Sequence, residues 1–253
     1  MPFKPTQPPE TPDLMRASEF QRYLAEWVRP VTHGSAAQAR SWGASAWSTF
    51  SPSMTGDLER HRIVEGTLDL LEVLAASRRH AQPVLIHLQQ GELVLPLTVF
   101  PEQRLVHCPL TLDAFFELPL RHLRVLHVEP ALWRPPGDPE RSLVDDPTRY
   151  APLDPVIWAL ALRGARQTLL DEIAGAPAYR VPAAAPCPGL PSGGSFALAV
   201  ERLRARTYNL RDIARWPGLD RERAIRLLNA LYLQSGLMVS RTHPAASQEG
   251  FGG

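Results

Sequence analysis

The densest apolar pattern lies between Pro83 and Pro130. Beta-rich runs over residues 84–88, 92–100 and 104–108 are separated there by Gln89-Gln90-Gly91 and by Pro101-Glu102-Gln103. Breaks this short between apolar runs predict antiparallel hairpins. Gly91 supplies the positive φ such a turn needs, and Pro101, with no N–H to donate, closes the second run. Along that run Leu93, Leu95, Leu97 and Val99 share one face, while Val94, Pro96 and Thr98 share the other. Apolar groups on both faces predict a strand covered on two sides. Pro96 marks an edge or a bulge, because a ladder donor is missing there. An apolar edge left open invites pairing with another chain, so a partner chain or the chain's own N-terminal helix is expected to cover it. Thr111 caps a short helix that turns Leu112, Phe115 and Phe116 to the sheet and stops at Pro119. Residues 123–128 return as a strand.

Helical periods flank this region. Ser18 and Gln21 have the spacing of a capping box, with Phe20, Leu24, Trp27 and Val28 on one face and Pro30 as the stop. Residues 57–79 read as the strongest helix of the first half, on the stripe Ile63, Val64, Thr67, Leu68, Leu71, Leu74 and Ala75. Gly66 interrupts it, at a cost of about 1 kcal/mol against alanine. Residues 33–56 have no period but hold Trp42, Trp47 and Phe50 among small polar residues. Aromatics in such a loop either anchor it to the body or form a partner surface. Asp154-Pro155 predicts the start of a helix running to residue 173, with Gly175 as its stop. Its first half is apolar nearly all round, which predicts burial between layers. Residues 176–194, dense in Pro and Gly, read as an interdomain linker. Three helices follow: 195–205, then one capped by Asn209, then one capped by Asp220 with the stripe Ala224, Leu227, Leu228 and Leu231. Gly236 is expected to stop the third by entering the left-handed region, and Leu237-Met238-Val239 opens a strand.

Composition changes this picture little. The chain has 253 residues, of which 44% are hydrophobic and 21% charged, and a formal net charge of +1. The bulk charge therefore excludes a general polyanion binder. The 26 prolines imply many short elements and stiff connectors. Lys4 is the only lysine, and arginine in its place matters where a bidentate or stacked contact forms. Cys108 and Cys187 make neither a disulfide framework nor a zinc set. No window has the roughly 20 apolar residues of a membrane span, and the N-terminal stretch lacks an apolar signal core. A cytoplasmic location with reduced thiols is the expectation.

Candidate chemistry is sparse. His107-Cys108 ends the third strand run, but neighbouring strand residues point to opposite faces, so His107 does not activate Cys108. His87, His127 or His122 could approach from a neighbouring strand; the competing reading makes Cys108 a small buried hydrophobe. Glu65, near the buried side of its helix, is either a general acid or a boundary carboxylate paired with an arginine. No Gly-rich strand-to-helix turn supports a dinucleotide site or a phosphate loop. No catalytic set, cofactor or metal is therefore expected.

The stretch LRDIARWPGLDRERAIRLLNALYLQSGLMVSR carries a resemblance. A short helix with an Ile-Ala pair (Ile213-Ala214), a turn with Gly218-Leu219, a helix starting on Asp220, and Leu228, Leu231, Gly236 and Leu237 at its end resemble the helix-turn-helix and strand entry of bacterial winged-helix domains. The likeness covers about residues 197–242. It implies three packed helices and, as in the tails of bacterial signalling and surface-motility regulators, a role in protein contacts. From Ser195 to Thr242 nine arginines face four acids, which favours phosphate contacts. Asp220 and Glu222, at the start of the would-be reading helix, oppose them, and the wing is cut short after Arg241.

The expected fold class is α+β: a small, mainly antiparallel sheet with packed helices, then a three-helix winged-helix-like domain. The expected division is a flexible tail (1–17), an α+β domain (18–130), a Pro/Asp-rich connector (131–153), a bridging helix (154–175), a linker (176–194), the winged-helix-like domain (195–242) and a disordered tail (243–253). The leading functional expectation is a non-enzymatic bacterial regulatory or adaptor protein that docks a partner protein. Trp42, Trp47, Arg221, Arg223 and Arg226 are its partner-binding candidates. The alternatives are a DNA-binding regulator working through residues 209–241, an enzyme of unknown class, and a homo-oligomeric scaffold.

Overall fold

The computed structural model describes residues 14–27, 50–61, 68–190 and 193–246. In chain order the first half contains helix α1 (Ala17–Trp27), α2 (Pro52–Arg60), α3 (Leu70–Arg79), strands β1 (Val84–Gln90), β2 (Leu93–Phe100) and β3 (Leu105–His107), α4 (Leu112–Glu117) and β4 (Arg124–Pro130). The second half contains β5 (Tyr150–Pro152), α5 (Leu153–Arg163), β6 (Ala178–Arg180), α6 (Gly194–Ala205), β7 (Tyr208–Asn209), α7 (Leu210–Ile213), α8 (Arg221–Leu233) and β8 (Met238–Ser240). Two antiparallel sheets result, one ordered β4-β1-β2-β3-β5 and a smaller one ordered β7-β6-β8. The α+β class is thus present, with α6, α7 and α8 beside the small sheet.

The predicted hairpins form where the breaks lie. Gly91 takes φ +59° in the β1–β2 turn, and β1 pairs with β2 from Val84↔Val99 to Gln90↔Leu93. Pro96 keeps its place inside β2 by parity. Val94 donates its N–H to Met15 O, and Thr98 pairs with His107 of β3. Residues of this parity face away from β1. Pro96 therefore points its missing donor into the gap between the N-terminal segment and β3. That segment covers the exposed stretch: Arg16 bridges Leu93, and Ala17 and Phe20 of α1 bury Val94.

Several boundaries differ from expectation. The helix expected over 57–79 is two helices. Asp69 caps α3, its Oδ1 accepting from the N–H groups of Leu71 (2.9 Å) and Glu72 (3.2 Å). The stripe residues Ile63, Val64 and Thr67, with Gly66, lie outside the described residues. Helix α1 begins at Ala17, so Ser18 stands inside the first turn rather than capping it. Asp154 does not cap α5 either, since its carboxylate pairs with Arg104. Helix α5 is buried along most of its length, as its apolar first half predicts. It ends at Gly164 rather than near 173, where a Cβ would stand 2.2 Å from Leu160 O. The expected connector 131–153 contains β5, which pairs with β3. It is stapled by Tyr150, whose hydroxyl donates to Arg134 O at 2.7 Å, while Trp133 stays 36% exposed.

The largest correction concerns residues 176–194. Instead of a linker alone, they contain β6, the central strand of the small sheet. Tyr179 is fully buried there, and its hydroxyl donates to Ile173 O at 2.7 Å. Proline density misled because the strand is only three residues long, too short to show a period. In the tail Asn209 and Asp220 cap α7 and α8 as predicted, accepting from Asp212 N and Arg223 N at 2.9 and 2.7 Å. The left-handed residue after α8 is Ser235 (φ 55°), not Gly236. One apolar core runs through both sheets and includes Leu74, Ile86, Leu97, Trp158, Tyr179, Leu203 and Leu228. Among the described residues no helix is long and apolar enough to cross a membrane.

Candidate functional site

The densest gathering of ionisable groups lies between α2, α3 and the loop after α5. Glu72, 2% exposed, sits one turn into α3 behind its cap Asp69. Arg166, freed from α5 by the stop at Gly164, reaches back to both. Its Nη2 lies 2.7 Å from Glu72 Oε1 and its Nη1 3.3 Å from Asp69 Oδ1. His61, just past α2, stands between two acids: Nδ1 is 3.3 Å from Asp171 Oδ2, and Nε2 is 3.7 Å from Glu72 Oε2. Burial raises the Glu72 carboxyl, and Arg166 and His61 oppose that rise. Glu72 Oε2 has no hydrogen-bond partner among the described residues.

His61, Glu72 and Asp171 bring donor atoms within 4.8 Å of one another. A metal held by all three needs a single imidazole nitrogen facing both carboxylates. Here each nitrogen faces a different acid, which suits a bridging histidine in an ion-pair network. Arg166 already occupies one oxygen of Glu72. Beside the network is a cavity of about 310 Å³, floored by Leu71, Leu120, Leu123, Val125 and Leu160 and edged by Arg124 and Arg166. Sequence reasoning passed over this group because its members share no motif spacing. One signal was available: Asp69 and Glu72 have the D-x-x-E spacing of a helix start, with the Glu on the buried stripe. Glu65, the acid singled out instead, lies outside the described residues.

The sheet candidates do not assemble. Cys108 is buried in the core, and burial pushes its thiol up to about 11. His107 turns away from it and meets Asp145, Nε2 to Oδ2 at 2.8 Å, beside the Tyr150 and Trp133 rings. His87 and His127 oppose each other on β1 and β4, ring centroids 6.0 Å apart. Burial and the neighbouring His127 lower His87 to about 4, which keeps it neutral. His122 is exposed beside Arg121 and Arg124.

The tail arginines split into two kinds. Arg223 donates Nε to Gly218 O (2.9 Å) and Nη2 to Ser195 Oγ (3.0 Å), and lies over the Phe196 ring. Arg226 donates Nη1 to the carbonyls of Leu162 (3.1 Å) and Gly164 (2.8 Å), closing the C-terminal end of α5. Both are held by the chain itself. Arg221 is exposed and makes no such contact among the described residues. Helix α8 buries Ala224, Ile225, Leu227, Leu228, Asn229, Ala230, Leu231 and Leu233. It is a core helix, packed mainly on α5. Trp42 and Trp47 lie outside the described residues. No family model matches the chain, and neither a curated protein nor a solved structure matches it.

Proposed function

We propose that this chain is a non-enzymatic regulatory or adaptor protein of bacterial type. In this reading its tail is a winged-helix-like module put to structural use. The carrying observation is the burial of α8 from Ala224 onward, with Arg226 turned to the end of α5 and Arg223 held at the surface by Gly218, Ser195 and the Phe196 ring. A helix that reads DNA must present one face to the major groove, and α8 is committed to the core beyond its exposed first turn, where Glu222 adds negative charge. The tail then serves as a brace for the α+β body rather than as a reading head.

The partner-facing surface in this proposal is the covered edge of β2. Met15, Tyr23 and Leu93 are exposed there by 45, 46 and 39%, next to the Arg16↔Leu93 bridge. Clustered exposed apolar groups are common at protein interfaces. Trp42 and Trp47 remain candidates for the same task. A photo-crosslinking residue at position 93, expressed in the native cell, tests the idea. The expected result is one dominant protein adduct, lost when Met15→Arg is added. Salt-dependent retention of duplex DNA by the purified protein, weakened by Arg223→Ala, would instead favour the transcription-regulator reading.

A further inference from the structure

We infer that the tail carries a binding pocket for a phosphate-bearing small molecule, built from Arg211, Arg215 and Arg221. The three side chains line a cavity of about 320 Å³, whose far wall is the Gly175–Pro177 loop leading into β6. Arg211 and Arg215 are four residues apart on the helical turn that continues α7, so they share a face. Arg221 opens α8 from the other side of the Pro217-Gly218 turn. No carboxylate lines the cavity. Among the described residues none of the three arginine side chains has a hydrogen bond, ion pair or ring contact. Most of their neighbours in the tail have one: Arg202 lies over Trp216, Arg204 pairs with Glu201, and Arg223 and Arg226 are held as above.

The wall opposite is braced. Arg241 donates to Ala174 O (2.9 Å) and Glu172 O (3.0 Å), which fixes the loop that faces the three free guanidinium groups. Asn209 is also committed, capping α7 and donating Nδ2 to Ala245 O at 3.0 Å. Burial pushes the Tyr179 hydroxyl up to about 12 behind this loop, and Arg241 and Arg221 are the cations close enough to oppose the rise.

Three exposed arginines with no carboxylate among the lining residues make the hollow positive, which favours an anion between them. Guanidinium forks match phosphate oxygens two at a time and never lose their proton, so a phosphate dianion is the anion they suit best. The volume is that of a small-ligand pocket. A concave hollow of this size does not suit a duplex, which is met by a protruding element. The pocket stands apart from the docking edge of β2 and does not rest on it.

Calorimetric titration of the full-length protein with inorganic phosphate, pyrophosphate and a nucleoside diphosphate tests the assignment. Saturable one-site binding of pyrophosphate is expected. Arg211→Gln, Arg215→Gln and Arg221→Gln should each weaken it about tenfold or more, with unchanged far-UV spectra and melting temperatures. Arg22→Gln, on α1, should leave it unchanged. A nucleotide bound more tightly than pyrophosphate would identify a nucleoside-bearing ligand; equal affinity would mean that the phosphates alone are read. The inference is overturned by absence of saturable binding, by equal weakening in Arg22→Gln, or by tighter binding of an acidic peptide or duplex DNA than of pyrophosphate.

Discussion

Replacing Arg226 with alanine separates a structural arginine from a DNA-contacting one. In the fold Arg226 Nη1 reaches the carbonyls of Leu162 and Gly164, and the guanidinium also meets Glu222 at 2.9 Å. Its side chain is 12% exposed. Hydrogen bonds from a charged donor contribute roughly 1.5–3 kcal/mol, and both carbonyls share one nitrogen here. A cation at the C-terminal end of α5 adds about 0.3–1 kcal/mol. Truncation also leaves the buried Gly164 carbonyl without its donor. Arg226→Ala should therefore cost on the order of 2–4 kcal/mol. Urea unfolding reads this directly: with a slope of about 2–3 kcal/mol/M the midpoint falls by roughly 1 M, the slope itself unchanged. Arg226→Lys keeps the charge but not the fork and should recover about half. Glu222→Gln, at a half-exposed i,i+4 pair, should cost about 0.5 kcal/mol or less. A loss below about 1 kcal/mol for Arg226→Ala, together with weakened DNA binding, would refute the claim that this side chain is spent inside the fold.

Asn229 is fully buried and clamps the loop after α5, accepting from Leu170 N and donating to Thr168 O, each at 2.9 Å. Asn229→Ala should lower stability by about 2–5 kcal/mol in the same unfolding assay, since a buried N–H and a carbonyl both lose partners. Burial alone would raise the Asp57 carboxyl, but hydrogen bonds from His80 and Arg79 outweigh it and hold it below the usual range. A lowered folded value means stability that is present above the unfolded pKa of about 4 and lost as pH falls through the folded one. Asp57→Asn should thus cost about 1–3 kcal/mol at pH 7 and progressively less in acid; unfolding curves that stay equally separated at pH 7 and pH 3 would contradict this. Glu72 has the opposite sign. Its raised carboxyl gives stability that is full below the unfolded pKa and lost as pH rises through the folded one. The stability of Glu72→Gln relative to the parent should therefore rise with pH across that window. In native protein at neutral pH Cys108 should resist a thiol reagent until unfolding, because its thiol is buried and pushed up to about 11; mass mapping of the labelled residue checks it.

What was legible in the sequence was what a local rule dictates. The β1–β2 hairpin followed from Gly91 and its flanking runs, and the caps of α4, α7 and α8 from Thr111, Asn209 and Asp220. Pro96 pointed to an edge or a bulge, yet β2 is the middle strand of its sheet; the proline fits because its nitrogen faces the gap between the N-terminal segment and β3. The errors share a different cause. Strands β5 and β6 have three residues each, below the length at which alternation can be seen. Their pairing partners lie far along the chain, so only tertiary contact reveals them. The stop of α5 at Gly164 was hidden because Leu169, Leu170 and Ile173 continue an apolar pattern beyond it. The His61–Glu72–Arg166–Asp171 network was invisible for the same reason, since three separate segments bring its members together.

The arginine bias of the chain can be read against these contacts. Arg78 donates to Leu233 O, Arg166 to Thr168 O and Leu169 O, Arg204 to Ala185 O, Arg226 to the end of α5 and Arg241 to Ala174 O. Arg166 closes its own loop, and each of the others joins a helix end or a turn to a segment elsewhere in the fold. A lysine ammonium has the charge but not the planar fork that spans two acceptors. These arginines thus act as clamps on carbonyls left over by short elements, which a chain with 26 prolines has in abundance. That changes how the positive surplus of the tail is counted. Of its nine arginines, Arg202, Arg204, Arg223, Arg226 and Arg241 are taken up by rings, carbonyls or acids within the chain. Arg206, Arg211, Arg215 and Arg221 remain, and three of these four line one cavity. The charge available to a ligand is therefore not spread along α8, as a reading helix would need, but gathered at the turn between α7 and α8.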